Sequence, residues 1–190
     1  RVLVDMIRLG GRFQIAGILD DNPSCHGGDV YGEPILGGRQ HLSVLMNSGV
    51  VSAVNAVGSA GRNEARNAVF SHLVSMGFTL PSIVHPSAII GHGVTLGRGA
   101  LLMAGVIVNP GATIGDNVLI NTGTVIEHDC VVEDDVFIGP GCALAGGTHL
   151  REGAFVGIGA RTIQGVCVGA RAVVAGGAMV ISDVAPGDLV

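Results

Sequence analysis

The sequence contains very few aromatic and charged residues. Tryptophan is absent, and aromatic side chains make up only 3% of the 190 residues. Charged residues make up 13%, the net charge is −5, and the ten basic side chains form no cluster. Nucleic-acid-binding surfaces need concentrated positive charge, so the composition argues against a nucleic-acid partner.

Long apolar runs and paired cysteines are also missing. Although 48% of the residues are hydrophobic, no uninterrupted stretch approaches the ~18 residues typical of a membrane-spanning helix, so we predict no membrane span. The four cysteines show neither CxxC spacing nor the density of a small secreted domain. Free thiols are typical of a reducing compartment, which predicts a cytoplasmic protein.

Glycine, in contrast, is abundant, with 32 residues in the chain. A glycine inside a helix costs about 1 kcal/mol relative to alanine, so a mainly helical protein is disfavoured. Collagen is excluded because the seven prolines and the glycines follow no three-residue period. The composition fits many tight turns that join short apolar segments.

The N-terminal part, residues 1–80, alternates between helix-like and strand-like segments. In order they are VLVDMIRLGG (helix), FQIAGILDD (strand), RQHLSVLMNSG (helix), VSAVNAVG (strand) and NEARNAVFSHLVSMG (helix). This alternation predicts a small Rossmann-like βα domain over residues 1–80. Such sheets bind ligands at the carboxyl ends of their strands, which makes Asp20, Asp21, Gly58 and Ser59 candidate substrate-binding residues. Turn formation explains the two aspartates equally well.

From residue 83 onward the sequence has a six-residue period. Residues 83–184 divide into seventeen hexads without an insertion, and the second residue of each is Ile, Leu or Val except at Thr162. The sixth residue is always Ala, Val, Thr or Cys. A short repeat held over this length predicts a solenoid. We expect three hexads to make one coil, with the second-position side chains of successive coils stacked inside.

The hexad pattern [LIV]-G-x-x-x-[AV] resembles that of the hexapeptide-repeat acyltransferases, which form left-handed parallel β-helices. The segments LDD, VHPSAII and NTGTVIEHDCVV, in this order, are similar to those of bacterial sugar acetyltransferases of the UDP-4-amino-sugar N-acetyltransferase and sialic acid O-acetyltransferase type. The resemblance implies a left-handed β-helix acyltransferase domain over residues 81–190, after a domain over residues 1–80 that binds a nucleotide-linked sugar. It also implies acetyl-CoA as the acyl donor, no metal, and a homotrimer with active sites between subunits.

The same resemblance identifies candidate catalytic and cofactor-binding residues. It places the catalytic base at His128 and the assisting acid at Asp129, and imidazole, with a reference pKa of about 6.5, suits proton removal from an amine or hydroxyl. Three hexads later, the repeat puts Gly146 beside His128 in the next coil, where its N–H could hold the thioester oxygen. Gly157 and Ile158 match positions that line the coenzyme A groove of the family.

The sequence departs from the family pattern at three places. It begins at Arg1, after the point where family members have a Gly-rich loop, and it ends before their usual C-terminal tail, so we expect it to be clipped at both ends. Phe137 also stands nine residues after His128, where a second histidine is common in the family.

His128 is compatible with two other functions. γ-Type carbonic anhydrases share the β-helix and bind zinc through three histidines, and His92, His128 and Glu133 could form a comparable ligand set here. Alternatively, the β-helix is a non-catalytic assembly module in which His128 occupies a corner without a chemical role.

Overall fold

The computed structural model describes residues 1–59 and 63–190. The N-terminal part has three helices, α1 (Val2–Gly10), α2 (Leu42–Asn47) and α3 (Glu64–Ser75), and three strands, β1 (Ile18–Leu19), β2 (Asp29–Val30) and β3 (Glu33–Gly37). Two short 3₁₀ turns lie at Pro23–Cys25 and Arg39–His41. The longest helix, α3, has 12 residues, and none of the described helices could span a bilayer.

All three helix-like N-terminal segments form helices, but the strands are shorter than predicted. β1 pairs in parallel with β3, which also pairs with β2 in an antiparallel hairpin. Residues 51–58 form only an isolated bridge, between Ser52 and Thr79. This segment is held instead by buried Asn55, whose side-chain amide donates to the Arg66 carbonyl at 2.8 Å. A Rossmann-like domain with a boundary near residue 80 therefore remains a prediction.

From residue 83 the chain winds into a three-sided parallel β-helix, as the hexad period predicts. Face one contains β4 (Ile83–Val84), β7 (Leu101–Leu102), β10 (Leu119–Ile120), β13 (Phe137–Ile138), β16 (Phe155–Val156) and β19 (Val173–Val174). Face two contains β5 (Ile89–Ile90), β8 (Ile107–Val108), β11 (Val125–Ile126), β14 (Ala143–Leu144), β17 (Arg161–Thr162) and β20 (Met179–Val180). Face three contains β6 (Thr95–Leu96), β9 (Thr113–Ile114), β12 (Val131–Val132), β15 (His149–Leu150) and β18 (Cys167–Val168).

The hexad residues have distinct physical roles in this β-helix. Second-position side chains such as Ile126 and Leu144 are fully buried, and each contributes roughly 1.5–3 kcal/mol. From Gly93 to Gly177 the fifth residue of every hexad takes a positive φ, which explains the abundance of glycine. Asn117, Asp129, Asp135 and Arg171 occupy this position without being glycine, and among non-glycine residues Asn and Asp tolerate the left-handed conformation best. The register of three hexads per coil is illustrated by Val125, which pairs with Ala143.

A buried arginine fastens the N-terminal part to the β-helix. Arg66, in α3, is 1% exposed, and its guanidinium donates to the carbonyls of Asn55, Val57 and Asn117. Burial lowers its pKa to about 10. Because Asn117 lies at the corner between faces three and one, this contact sets the position of the N-terminal part on the β-helix.

Candidate active site

His128 and Gly146 lie at the corner between faces two and three, which we call the catalytic corner because His128 is the predicted catalytic base. His128 follows β11 and Gly146 follows β14, and these strands pair in parallel one coil apart. The two residues therefore occupy equivalent positions in neighbouring coils. The structure thus brings together the two residues that the repeat spacing places side by side.

Asp129 determines which nitrogen of His128 can act as a base. His128 Nδ1 lies 2.9 Å from Asp129 Oδ2. When Nδ1–H donates to this carboxylate, Nε2 is left without a proton and can accept one. The His128 side chain is 57% exposed, so a substrate can reach Nε2 from solvent.

Gly146 provides the surface on which the His128 ring rests. A Cβ atom on Gly146 would lie 2.6 Å from His128 Nε2, so no residue with a side chain fits without moving the ring. The backbone N–H of Gly146 donates no hydrogen bond to any residue that the structure describes. A basic nitrogen and an available amide hydrogen are therefore adjacent, and this combination suits the removal of a proton beside a developing oxyanion.

Gly157 and Ile158 lie at a different corner, between faces one and two, which we call the coenzyme corner because these residues are predicted to line the coenzyme A groove. The Ile158 side chain is 65% exposed. Gly157 is enclosed, because a Cβ there would come within 2.5 Å of the Gly176 backbone nitrogen. The two corners lie at opposite edges of face two, so a single subunit does not bring these residues to His128.

Asp20 and Asp21 lie at the carboxyl end of β1. The Asp21 carboxylate accepts hydrogen bonds from the Arg39 backbone N–H at 2.9 Å and from Arg39 Nε at 2.7 Å, which lowers the pKa of Asp21. Asp20 Oδ1 accepts from the Asn22 backbone N–H at 2.8 Å, as in an Asx turn. Sequence reasoning missed Arg39. The signal for it was present, because Arg39 follows the strand EPILG and so lies at the same sheet edge.

Gly58 and Ser59 follow residues 51–57, next to residues 60–62, which lie outside the described range. The Ser59 hydroxyl donates to Asn63 Oδ1, and Asn63 Nδ2 donates to the Asp135 carbonyl at 2.8 Å. These contacts join the segment to the β-helix. A role for Gly58 and Ser59 in substrate binding stays a prediction.

Glu133, one of the three residues of the zinc alternative, is engaged elsewhere. Glu133 Oε1 lies 2.7 Å from His149 Nε2 and accepts from Arg151 Nη1 at 3.0 Å. In residues 1–59 and 63–190, no three His, Cys, Asp or Glu side chains come together as a metal-binding group.

Comparisons with known proteins place this β-helix in a family. Residues 111–146 match the family model for the bacterial transferase hexapeptide (six repeats), and residues 87–110 match the hexapeptide repeat of succinyl-transferase. GDP-perosamine N-acetyltransferase from Caulobacter crescentus, solved as a His-to-Ala variant with CoA and GDP-perosamine, is 36% identical with a TM-score of 0.92. The match covers 99% of this chain and 86% of the other. This chain belongs to the hexapeptide-repeat sugar acetyltransferase family.

Other solved structures agree with this assignment. The acetyltransferase domain of PglB from Neisseria gonorrhoeae, in complex with acetyl coenzyme A, is 29% identical with a TM-score of 0.88, and the match covers 99% of this sugar acetyltransferase and 88% of that domain. WeeI from Acinetobacter baumannii, at 22% identity and a TM-score of 0.81, shares the fold over 98% of this chain and 89% of its own. No curated protein matches the chain.

Proposed function

We propose that this sugar acetyltransferase moves an acetyl group from acetyl-CoA to an amino group of a nucleotide-linked sugar, with His128 as the general base. The proposal rests on the adjacency of two groups: His128 Nε2, which can accept a proton when Nδ1–H donates to Asp129, and the Gly146 N–H, which donates to no described residue. The relatives support the donor and acceptor classes, since one was solved with CoA and GDP-perosamine and another with acetyl coenzyme A. A hydroxyl acceptor would use the same chemistry.

The proposed reaction passes through one tetrahedral intermediate. His128 Nε2 takes a proton from the acceptor amine while the amine nitrogen forms a bond to the thioester carbonyl carbon. The carbonyl oxygen becomes an oxyanion, which the Gly146 N–H stabilises. The intermediate then collapses, the carbon–sulfur bond breaks, and the proton on His128 passes to the coenzyme A sulfur. Asp129 stabilises the transient imidazolium.

Direct transfer is favoured over an acyl-enzyme because the nearest thiol is unsuited to nucleophilic attack. Cys130 is fully buried, and its Sγ points at the Ala145 carbonyl oxygen at 3.3 Å. Burial raises the pKa of the Cys130 thiol. Buried thiols of this kind are unreactive.

For the N-terminal part, we propose that the β1–β3 edge contacts the nucleotide portion of the substrate, within a Rossmann-like domain over residues 1–80. Asp21 and Arg39 offer both an acceptor and donors at this edge, and they lie where parallel strands end.

All four cysteines are free thiols. This supports a cytoplasmic site of action, since reducing compartments preserve free thiols.

The proposed active site needs a second subunit, because the catalytic and coenzyme corners flank face two. The outward side chains of face two are mostly apolar, and Ile89 and Met179 are 61% and 56% exposed. Exposed apolar faces of this kind favour association. In a threefold trimer with face two toward the axis, the catalytic corner of one subunit meets the coenzyme corner of the next. We therefore propose a homotrimer with three shared sites.

A panel assay tests the donor and the acceptor. The protein is incubated with acetyl-CoA and GDP-linked, UDP-linked and CMP-linked sugars, with free thiol release and product mass as the readouts. We expect release of coenzyme A and a product heavier by one acetyl group with a nucleotide-linked 4-amino sugar. Failure to cleave the thioester with any acceptor would favour a non-catalytic assembly module.

Complementation tests the shared site. His128→Ala damages the catalytic corner, and Ile158→Glu damages the coenzyme corner at an exposed position that the fold tolerates. We expect each variant alone to be nearly inactive, and co-expressed mixed trimers to recover about one quarter of wild-type activity, because about one site in four pairs two intact corners. Mixed trimers without recovered activity, or a monomer in light scattering, would contradict the proposal.

A further inference from the structure

One ladder hydrogen bond of the β-helix is diverted, and the diversion lies directly behind Gly146. In the regular ladder, the third residue of a hexad donates its backbone N–H to the carbonyl of the second residue in the hexad one coil ahead. Glu127, for example, donates to Leu144 at 3.0 Å. Between His85 and Ile163, the third residue of every hexad except Ala145 makes this bond. Ala145 instead donates its N–H to the side-chain oxygen of Thr162, at 3.0 Å. The backbone at this point is therefore held by a side chain.

Thr162 acts together with Thr148. The Thr148 hydroxyl donates to the Ala145 carbonyl at 2.6 Å, and the two threonine hydroxyl oxygens are 2.8 Å apart. Because Thr148 has one hydroxyl proton and uses it on Ala145, Thr162 must donate to Thr148. The hydrogen bonds form a closed ring in which Ala145 N–H donates to Thr162, Thr162 donates to Thr148, and Thr148 donates to Ala145 C=O.

This ring clamps the peptide unit that carries the proposed oxyanion donor. The Ala145 carbonyl and the Gly146 N–H belong to one planar peptide, so fixing the carbonyl aims the N–H. Cys130 Sγ also points at this carbonyl, at 3.3 Å. Hydrogen bonds accepted by the carbonyl polarise the peptide and strengthen its N–H as a donor.

The two threonines are not explained by the packing of the core. Thr148 is fully buried and Thr162 is 5% exposed. Position 162 is the only second position of the repeat that lacks an aliphatic side chain. Buried hydroxyls carry a desolvation penalty, and valine at position 162 would allow Ala145 to resume the regular ladder bond to the backbone carbonyl of that residue.

We propose that Thr148 and Thr162 are positioning residues, which orient and polarise the Ala145–Gly146 peptide for oxyanion stabilisation. This inference rests on the proposed function. Both hydroxyls act through Gly146 without touching the substrate. Their removal should therefore change kcat and leave binding of acetyl-CoA intact.

The test uses the double variant Thr148→Val/Thr162→Val, which preserves side-chain shape and removes both hydroxyls together. Replacing both partners of a buried hydrogen bond by apolar groups is close to neutral for stability, so we expect a Tm equal to or above that of the wild type. We expect kcat to fall about tenfold, part of the ~10²–10³-fold that loss of an oxyanion donor costs, with the KM for acetyl-CoA unchanged. Thr148→Ser/Thr162→Ser should restore kcat.

Ser82→Ala is the matched control. The Ser82 hydroxyl donates to the Gly97 carbonyl at the corner between faces three and one, away from the catalytic and coenzyme corners. Its kcat should stay near wild type. A parallel loss in Ser82→Ala, or full kcat in the double valine variant beside an inactive His128→Ala, would overturn the positioning role alone. Full activity of His128→Ala would instead reject the proposed function.

Discussion

Replacing His128 with alanine is expected to reduce kcat by about 10²–10⁴-fold, the usual contribution of a general base. The acceptor amine would then have to lose its proton to water, with no base held beside the Gly146 N–H. The ring is 57% exposed and contributes little to the core, so the variant should keep its Tm. Steady-state kinetics and calorimetric titration with coenzyme A measure the two effects separately, and coenzyme binding should change little.

Two companion variants define the origin of that loss. Asp129→Asn removes the charge that stabilises the imidazolium but keeps a residue that tolerates φ of 59°, so its kcat should fall less than that of His128→Ala. His72→Ala removes an exposed histidine of α3 and should be indistinguishable from the wild type. Wild-type turnover in His128→Ala would make VIEHDC a structural corner only.

Gly146→Ala is expected to reduce kcat by about 10²–10⁴-fold, on the scale of losing a general base, because alanine keeps the backbone N–H but displaces the imidazole. The new Cβ would lie 2.6 Å from His128 Nε2, so the imidazole must turn away from the substrate. The atom that it meets belongs to a side chain in an exposed position, and the ring can move without disturbing the coil. We therefore expect the activity to fall while thermal unfolding stays near wild type.

Gly157→Ala provides the contrast for this prediction. Its Cβ would meet the Gly176 backbone nitrogen at 2.5 Å, and backbone atoms cannot rotate aside, so about 1–3 kcal/mol of stability should be lost.

Adding Gly146→Ala to His128→Ala supplies a second check. If the methyl group acts through the ring, the double variant should be little slower than His128→Ala. A large additional loss would show that the methyl group obstructs the substrate directly.

The repeat made most of the β-helix predictable. Nearly every hexad has an aliphatic second residue, and every hexad has a small or β-branched sixth residue, so the same side of each strand must face the core. The spacing of three hexads per coil then put Gly146 beside His128. The diverted hydrogen bond of Ala145 was harder to predict from the sequence. Thr162 stood out as the exception to the pattern, but only side-chain coordinates show that its hydroxyl meets the Thr148 hydroxyl.

The N-terminal part was predicted less well for a different physical reason. Helix α1 has a clear amphipathic pattern, whereas residues 51–58 read as a strand but are held by buried polar contacts of Asn55 and Arg66. These contacts join polar groups, and amphipathic patterns carry no information about them. Arg39 was missed because the strand before it, Glu33–Gly37, was not recognised.

The stacked coils also restrict how genes for such enzymes can change in length. Since Val125 pairs with Ala143 one coil ahead, a duplication of three whole hexads after Ile158 adds a layer and leaves both corners aligned. A duplication of a single hexad between His128 and Gly146 would rotate the glycine by one corner and separate it from the histidine. Evolution of this family by insertion and deletion should therefore proceed in whole coils, or outside the β-helix.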